Sequence, residues 1–234
     1  TNLVYDITYG ERCPYVENPT NTIRSALMSN IEGQNLAIDE ITAAFQNWEF
    51  DRKSGRQKSL VLSLTGQTGV GKTASSFIIA NALFSDSVDN NNNGFLTLNG
   101  VDYINAEKVA FYQDSIRKRI SETVQKCGGN VVILFDEIQK VVAGTLDILI
   151  PIMEDRSYMM LEINGKMVNY DCRNFVIILV TDIGGEKIRS GILPYKERYD
   201  IPKSVLMSRV RKSLDEKWEN TQFGKMVRWI IPYL

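Results

Sequence analysis

The chain of 234 residues contains no histidine. That absence excludes Ser-His-Asp and Cys-His catalysis and most zinc-hydrolase sites, leaving carboxylates, lysine, arginine and bound metal as the available chemistry. Cysteine is scarce: Cys13, Cys127 and Cys172 are spaced too widely for a CxxC redox or zinc motif, and their spacing alone does not tell three free thiols from a bridge. An excess of one charge is also missing. With 27 basic and 28 acidic residues the formal charge is −1, so no global field draws the chain to nucleic acid or anionic lipid. No apolar run approaches the roughly 18 residues of a membrane span, and residues 1–30 lack the basic-then-apolar order of a signal peptide. The chain reads as soluble, with any membrane contact indirect. Thr1 stands where an initiator Met would, which points to a start inside a longer precursor.

A hydrophobic content of 44% over this length suits one mixed α/β domain. Residues 1–24, with Pro14, Pro19 and several Asn, read as an irregular lead-in. After a polar turn at Glu32 to Asn35, the apolar residues Leu36, Ile41, Ala44, Phe45 and Trp48 fall at helical spacing. A basic loop from Lys53 to Lys58 leads into SLVLSLTG, the length of a buried strand, and TASSFIIANALF is helical in character. SDSVDNNNNGF reads as an Asn-rich surface loop. NAEKVAFYQDSIRKRISETVQK, closed by Gly128 and Gly129, fits a long helix; VVILF fits a second buried strand and TLDILIPIMED a further helix. Asn164-Gly165 divides YMMLEINGKMVNY into two runs that can pair through a type I′ turn, and NFVIILVTD supplies a third apolar strand. Strand, helix, strand, helix, strand builds a mostly parallel sheet with helices on both faces.

GQTGVGKT at 66–73 matches the G-x-x-x-x-G-K-[ST] phosphate loop and lies between a predicted strand and a predicted helix, the context that motif requires. Gly66, Gln67, Thr68, Gly69, Val70, Gly71, Lys72, Thr73 and Ala74 are the expected nucleotide-binding residues. Their backbone N–H groups curl around phosphate at a helix N-terminus, Lys72 reaches the β- and γ-phosphates, and the Thr73 hydroxyl ligates Mg²⁺. VVILFDE carries Asp136 and Glu137 out of an apolar strand. Asp136 is expected to hold the Mg²⁺ water shell and Glu137 to polarise the water attacking the γ-phosphate. Thr181 and Asp182 end the third strand, where a polar group can sense the γ-phosphate; a plain turn before Gly184-Gly185 is the competing reading. The adjacent acidic pair and the lack of an Asn-Lys-x-Asp stretch favour ATP over GTP.

These residues resemble the AAA+ ATPases of the Clp group and, within it, the torsins. IEGQNLAIDEI, DEIQKVVAGTLDILIPIMED and the C-terminal VRWIIPYL carry the resemblance over roughly residues 30–234. It implies residues 1–29 as lead-in, 30–234 as the AAA+ large domain, and no small helical domain, since the chain stops at Leu234. It implies ATP and Mg²⁺ as cofactors, a protein substrate, assembly into a ring or filament, and activation by a partner that supplies an arginine, in the endoplasmic reticulum lumen or nuclear envelope. A self-sufficient Clp-like unfoldase in the cytoplasm, or a nucleotide-gated binding module with negligible turnover, are the alternatives. The torsin arrangement also implies a Cys13–Cys127 disulfide. There are departures: torsins usually have Asn where Thr73 stands, Asp182 replaces a sensor Asn, and Met226 occupies the place of the Clp arginine finger. Arg209, Arg211 and Arg228 lie near it and read as surface charge. NGVDYINAEKVAF lacks the Gly-flanked aromatic of a threading loop, and Tyr103 reads as packing beneath the loop.

Overall fold

A computed structural model describes residues 13–85, 94–197, 200–217 and 226–234. The tip of the Asn-rich loop, 86–93, and the first half of the lead-in, 1–12, lie outside the described residues. The elements in chain order are α1 (Pro19–Asn30), α2 (Asn35–Lys53), β1 (Leu60–Thr65), α3 (Lys72–Leu83), β2 (Phe95–Asn99), α4 (Val109–Cys127), β3 (Val132–Asp136), α5 (Ile150–Met153), β4 (Tyr158–Ile163), β5 (Lys166–Asp171), β6 (Val176–Thr181), α6 (Gly185–Ile192), α7 (Lys203–Lys217) and β7 (Trp229–Pro232).

Five strands form one parallel sheet in the order β2-β3-β6-β1-β7, and β4-β5 stands apart as an antiparallel hairpin. This is the α/β arrangement expected, with every strand of the main sheet parallel. The central strands β1 and β6 are buried along their whole length, which explains why they read as unbroken apolar runs. Alternate side chains feed two cores. Val61, Ile133, Phe135, Ile177, Leu179 and Ile230 face the side covered by α4, α6 and α7. Leu62, Leu64, Leu134, Ile178, Val180 and Ile231 face the side covered by α1, α2 and α3. None of the described helices is long and apolar enough to cross a membrane.

The lead-in is more ordered than its composition suggests. Cys13 and Cys127 form a disulfide with Cα atoms 5.1 Å apart, and Val16 N–H donates to Leu83 O at 2.9 Å, so 13–18 is fastened to the ends of α3 and α4. Helix α1 then starts at Pro19, inside the stretch read as irregular. The Thr20 hydroxyl and N–H donate to the Glu49 carboxylate of α2, at 2.7 and 3.4 Å, so an acidic side chain from another helix satisfies the first turn. That cap is 29 residues away in sequence and has no local signature.

Two other helix boundaries also move. TLDILIPIMED is a 3₁₀ segment, Thr145–Leu149, followed by the single turn α5, because Pro151 has no N–H with which to continue a longer helix. The long helix begins at Val109 rather than Asn105; the Asn105 side chain accepts from Glu107 N–H at 2.9 Å and caps a 3₁₀ turn instead. The hairpin turns at Asn164 and Gly165, φ 52° and 73°, with Ile163 opposite Lys166, as the Asn-Gly pair requires. Tyr103 is buried, edge-on to Tyr112 at 5.3 Å and tilted against Phe135 at 5.4 Å.

Candidate functional site

The carboxyl ends of β1, β3 and β6 lie side by side in the sheet, and each carries one part of the site. After Thr65 the chain leaves β1 through Gly66, where no side chain can stand: a Cβ would lie 2.8 Å from Tyr233 O and 2.9 Å from Tyr233 Cβ. The C-terminal strand thus forms the floor of the loop, and Tyr233 N–H donates to Thr65 O at 2.8 Å. The loop closes at Gly71, in the left-handed region at φ 98°, which turns the backbone into the first residue of α3. The free N–H groups of that helix start face a cleft of about 370 Å³.

Lys72 is buried at 5% exposure, and its Nζ donates to Gly66 O at 2.8 Å, Gln67 O at 2.6 Å and Asp182 Oδ1 at 3.0 Å. The Thr73 hydroxyl, one residue on, donates to Asp136 Oδ2 at 3.0 Å. The other Asp136 oxygen accepts Glu137 N–H at 2.8 Å. Glu137 itself has left-handed backbone, φ 52°, uncommon for a side-chain-bearing residue and found here where β3 ends at the cleft. Its carboxylate pairs with Lys140 at 2.9 Å, both groups part-exposed.

The structure therefore brings Thr68, Gly69, Gly71, Lys72, Thr73 and Ala74 together with Asp136, Glu137 and Asp182 around one cleft. Gln67, Val70 and Gly66 do not line it. Gln67 contributes its carbonyl to Lys72, and Val70, half-buried, packs against the core on the α1–α3 side. The donor set fits a magnesium nucleotide. A helix start with free N–H groups and a buried ammonium suits phosphate, and one hydroxyl beside one carboxylate suits Mg²⁺, which keeps several waters and needs few protein ligands.

The sequence model of the torsin family matches residues 7–135, from the lead-in to the end of β3. The chain belongs to the torsin family. Among its curated relatives, a torsin-like protein of Caenorhabditis elegans is 29% identical over 75% of this chain and 46% of its own length. Torsin-3A of Rattus norvegicus is 24% identical over 94% of this chain and 55% of its own length. The chain thus spans about half the length of these curated relatives. A solved S. cerevisiae Hsp104–ADP complex has the same fold, with a TM-score of 0.65 and 20% identity over 92% of this chain and 36% of that one.

Two residues of this torsin-family chain lie in stretches that carry the resemblance but were given no role from the sequence. Gln139 accepts the Thr181 hydroxyl at 3.1 Å and Asp182 N–H at 3.4 Å on Oε1, and donates from Nε2 to Asp182 Oδ2 at 3.4 Å, joining the ends of β3 and β6. Its one sequence signal is a polar residue two places after the acidic pair. Gln34 grips the C-terminus in two directions: Nε2 donates to Leu234 O at 2.7 Å, and Oε1 accepts Leu234 N–H at 2.9 Å. The Gly-Gln segment before α2 thereby steadies the strand that floors the phosphate loop.

Of the arginines near Met226, Arg228 is paired with Asp155 at 2.5 Å, Arg211 donates to Val227 O at 2.8 Å, and Arg209 is exposed on α7. Met226 is half-buried against the core.

Proposed function

We propose that this chain is the nucleotide-binding large domain of a torsin-like AAA+ ATPase, residues 30–234, which binds Mg-ATP and hydrolyses it when a partner completes the site. The observation that carries the reading is the Thr73–Asp136 contact at 3.0 Å beside the glycine loop and Lys72, since the hydroxyl and carboxylate that would share one Mg²⁺ already meet. Membership of the torsin family and the Hsp104-like fold, solved there with ADP, support it.

In this reading the loop N–H groups and Lys72 bind phosphate, Thr73 and Asp136 hold the metal's water shell, and Glu137 orients the attacking water and takes its proton. Mg²⁺ held by Thr73 and Asp136 would supply charge neutralisation to the phosphates. Lys140 pairs with Glu137 Oε1, and in this reading the water's proton goes to the second oxygen of that carboxylate. Charge on the terminal phosphate also needs an arginine. Met226 cannot provide one, and Arg228 and Arg211 already have partners within the chain. In this reading a second protein supplies the arginine, with the chain acting in a ring or filament that remodels a protein substrate. The Cys13–Cys127 disulfide supports an oxidising compartment, the endoplasmic reticulum lumen or nuclear envelope.

Exposed Arg209 supports a second reading, in which a neighbouring copy of the chain supplies the arginine. Steady-state ATP turnover, measured across protein concentration with and without a candidate activator, separates the two. The partner reading expects turnover to rise about 10³-fold or more on addition of the activator. Turnover that rises with the chain's own concentration alone supports the second reading. Absence of turnover under both conditions, with nucleotide still bound, leaves a nucleotide-gated binding module.

A further inference from the structure

The Lys72 ammonium has three N–H donors, and all three have acceptors within the protein: Gly66 O at 2.8 Å, Gln67 O at 2.6 Å and Asp182 Oδ1 at 3.0 Å. No donor is left for a phosphate oxygen. Two of these acceptors are backbone carbonyls of the loop itself; the third is a charged side chain arriving from the end of β6, 110 residues away. The second oxygen of the same carboxylate accepts the Thr68 hydroxyl at 3.0 Å, from the crown of the phosphate loop, and Gln139 Nε2 at 3.4 Å. One carboxylate thus ties the loop crown, the loop lysine and the end of β3 together across the cleft that phosphate would enter. Lys72 is buried at 5%, and the Asp182 side chain is 43% exposed, so the pair is reached from the cleft side.

We propose that Asp182 is a latch that competes with nucleotide phosphate for Lys72 and sets the affinity of the site, weakening ATP more than ADP. The inference rests on the nucleotide-binding reading above and deepens it. Two physical effects point the same way. A phosphate oxygen that takes the place of Asp182 on Lys72 displaces an ion pair, in which both donor and acceptor are charged. It must also approach a fixed carboxylate of its own sign, and the triphosphate brings more negative charge to that place than the diphosphate. Asp182→Asn keeps the size, can turn its one amide oxygen to Thr68, and removes the charge on which both effects rest. Asp182 is on this argument a specificity-determining residue, not a group that reacts.

The test uses equilibrium titration with fluorescent ADP and ATP analogues in the presence of Mg²⁺, comparing the wild type with Asp182→Asn and Lys72→Ala. Exchanging the charged acceptor for a neutral one is expected to tighten ATP binding about tenfold and ADP binding by a smaller factor. A second readout needs no nucleotide: limited amine acetylation followed by peptide mass spectrometry, in which Asp182→Asn is expected to raise modification of Lys72 severalfold. A residue with a merely structural role would weaken binding when changed, the opposite sign. Unchanged or weaker ATP affinity in Asp182→Asn, or unchanged labelling of Lys72, overturns the latch. Wild-type binding that Lys72→Ala removes and Asp182→Asn does not strengthen overturns the latch alone. Absence of binding in all three proteins overturns the latch and the nucleotide reading together.

Discussion

The phosphate loop, residues 66–73, and the lead-in, residues 13–30, are both short, polar and punctuated by turn residues, yet they owe their order to different things. The loop takes its shape from its own glycines and from the strand and helix on either side, and its Thr68, Lys72 and Thr73 side chains bond to the ends of the neighbouring strands. Ahead of and at the first turn of α1, the lead-in has no such internal logic. It is held by a disulfide to Cys127, a backbone bond to Leu83, a carboxylate from Glu49 and ring contacts of Tyr15 with Trp48 and Phe84. A segment built by local chemistry can be recognised from a few letters, whereas one fastened by distant partners cannot.

The difference can be tested by breaking each region in its own way. The largest stability effect is expected in the lead-in. Opening the bridge between Cys13 and Cys127, 114 residues apart, should destabilise the fold by up to about 5 kcal/mol in the chain-entropy view. Chemical denaturation of oxidised protein against a Cys13→Ser, Cys127→Ser double variant measures this, and equal midpoints would mean the bridge only decorates a segment already held by its other contacts.

The loop should behave in the opposite manner, losing binding with little change in fold. Lys72→Ala is expected to weaken ATP binding at least about 100-fold, near 3 kcal/mol, because a charge-assisted phosphate contact is lost. Glu137→Gln should keep the nucleotide bound but unhydrolysed, since only the carboxylate that takes the water's proton is changed. Single-turnover hydrolysis beside the binding titration reads both; a Glu137→Gln protein that turns over at the wild-type rate would remove Glu137 from the chemistry.

Glu49→Ala sharpens the comparison at smaller scale. Removing the carboxylate that caps α1 should cost about 1 kcal/mol, as for a lost N-cap, and leave nucleotide affinity unchanged. The smallest effect concerns Cys172, which is fully buried; burial pushes its thiol well above the usual cysteine range. The thiolate is therefore not populated at pH 8, and iodoacetamide should leave Cys172 unmodified in folded protein while labelling it readily in denaturant. Rapid labelling of native protein would show that β5 and β6 open locally.

Much of the sheet was legible because buried parallel strands are nearly continuous apolar runs: LVLSLT, VVILF and FVIILVT needed no partner to be recognised. Strand β2 was not, since Phe95–Asn99 alternates over only five residues and follows an Asn-rich stretch. α7 was missed as well, with only Leu206, Val210 and Leu214 buried on a polar background. In the site, the motif residues were legible individually, and Asp182 was legible as a polar strand end. Its bond to Lys72 was not, because nothing in 66–73 marks which residue 110 positions later will face the lysine.

Sequence by itself determined the phosphate loop, the acidic pair, the central strands and the Asn-Gly hairpin, because each depends on spacing and backbone preference within a dozen residues. Tertiary structure alone decided that Glu49 caps α1, that Gln34 holds Leu234, that Gln139 joins the ends of β3 and β6, and that Asp182 occupies Lys72. These are hydrogen bonds between groups brought to one place only when the sheet pairs in its observed order, and their energy depends on that proximity rather than on any local pattern.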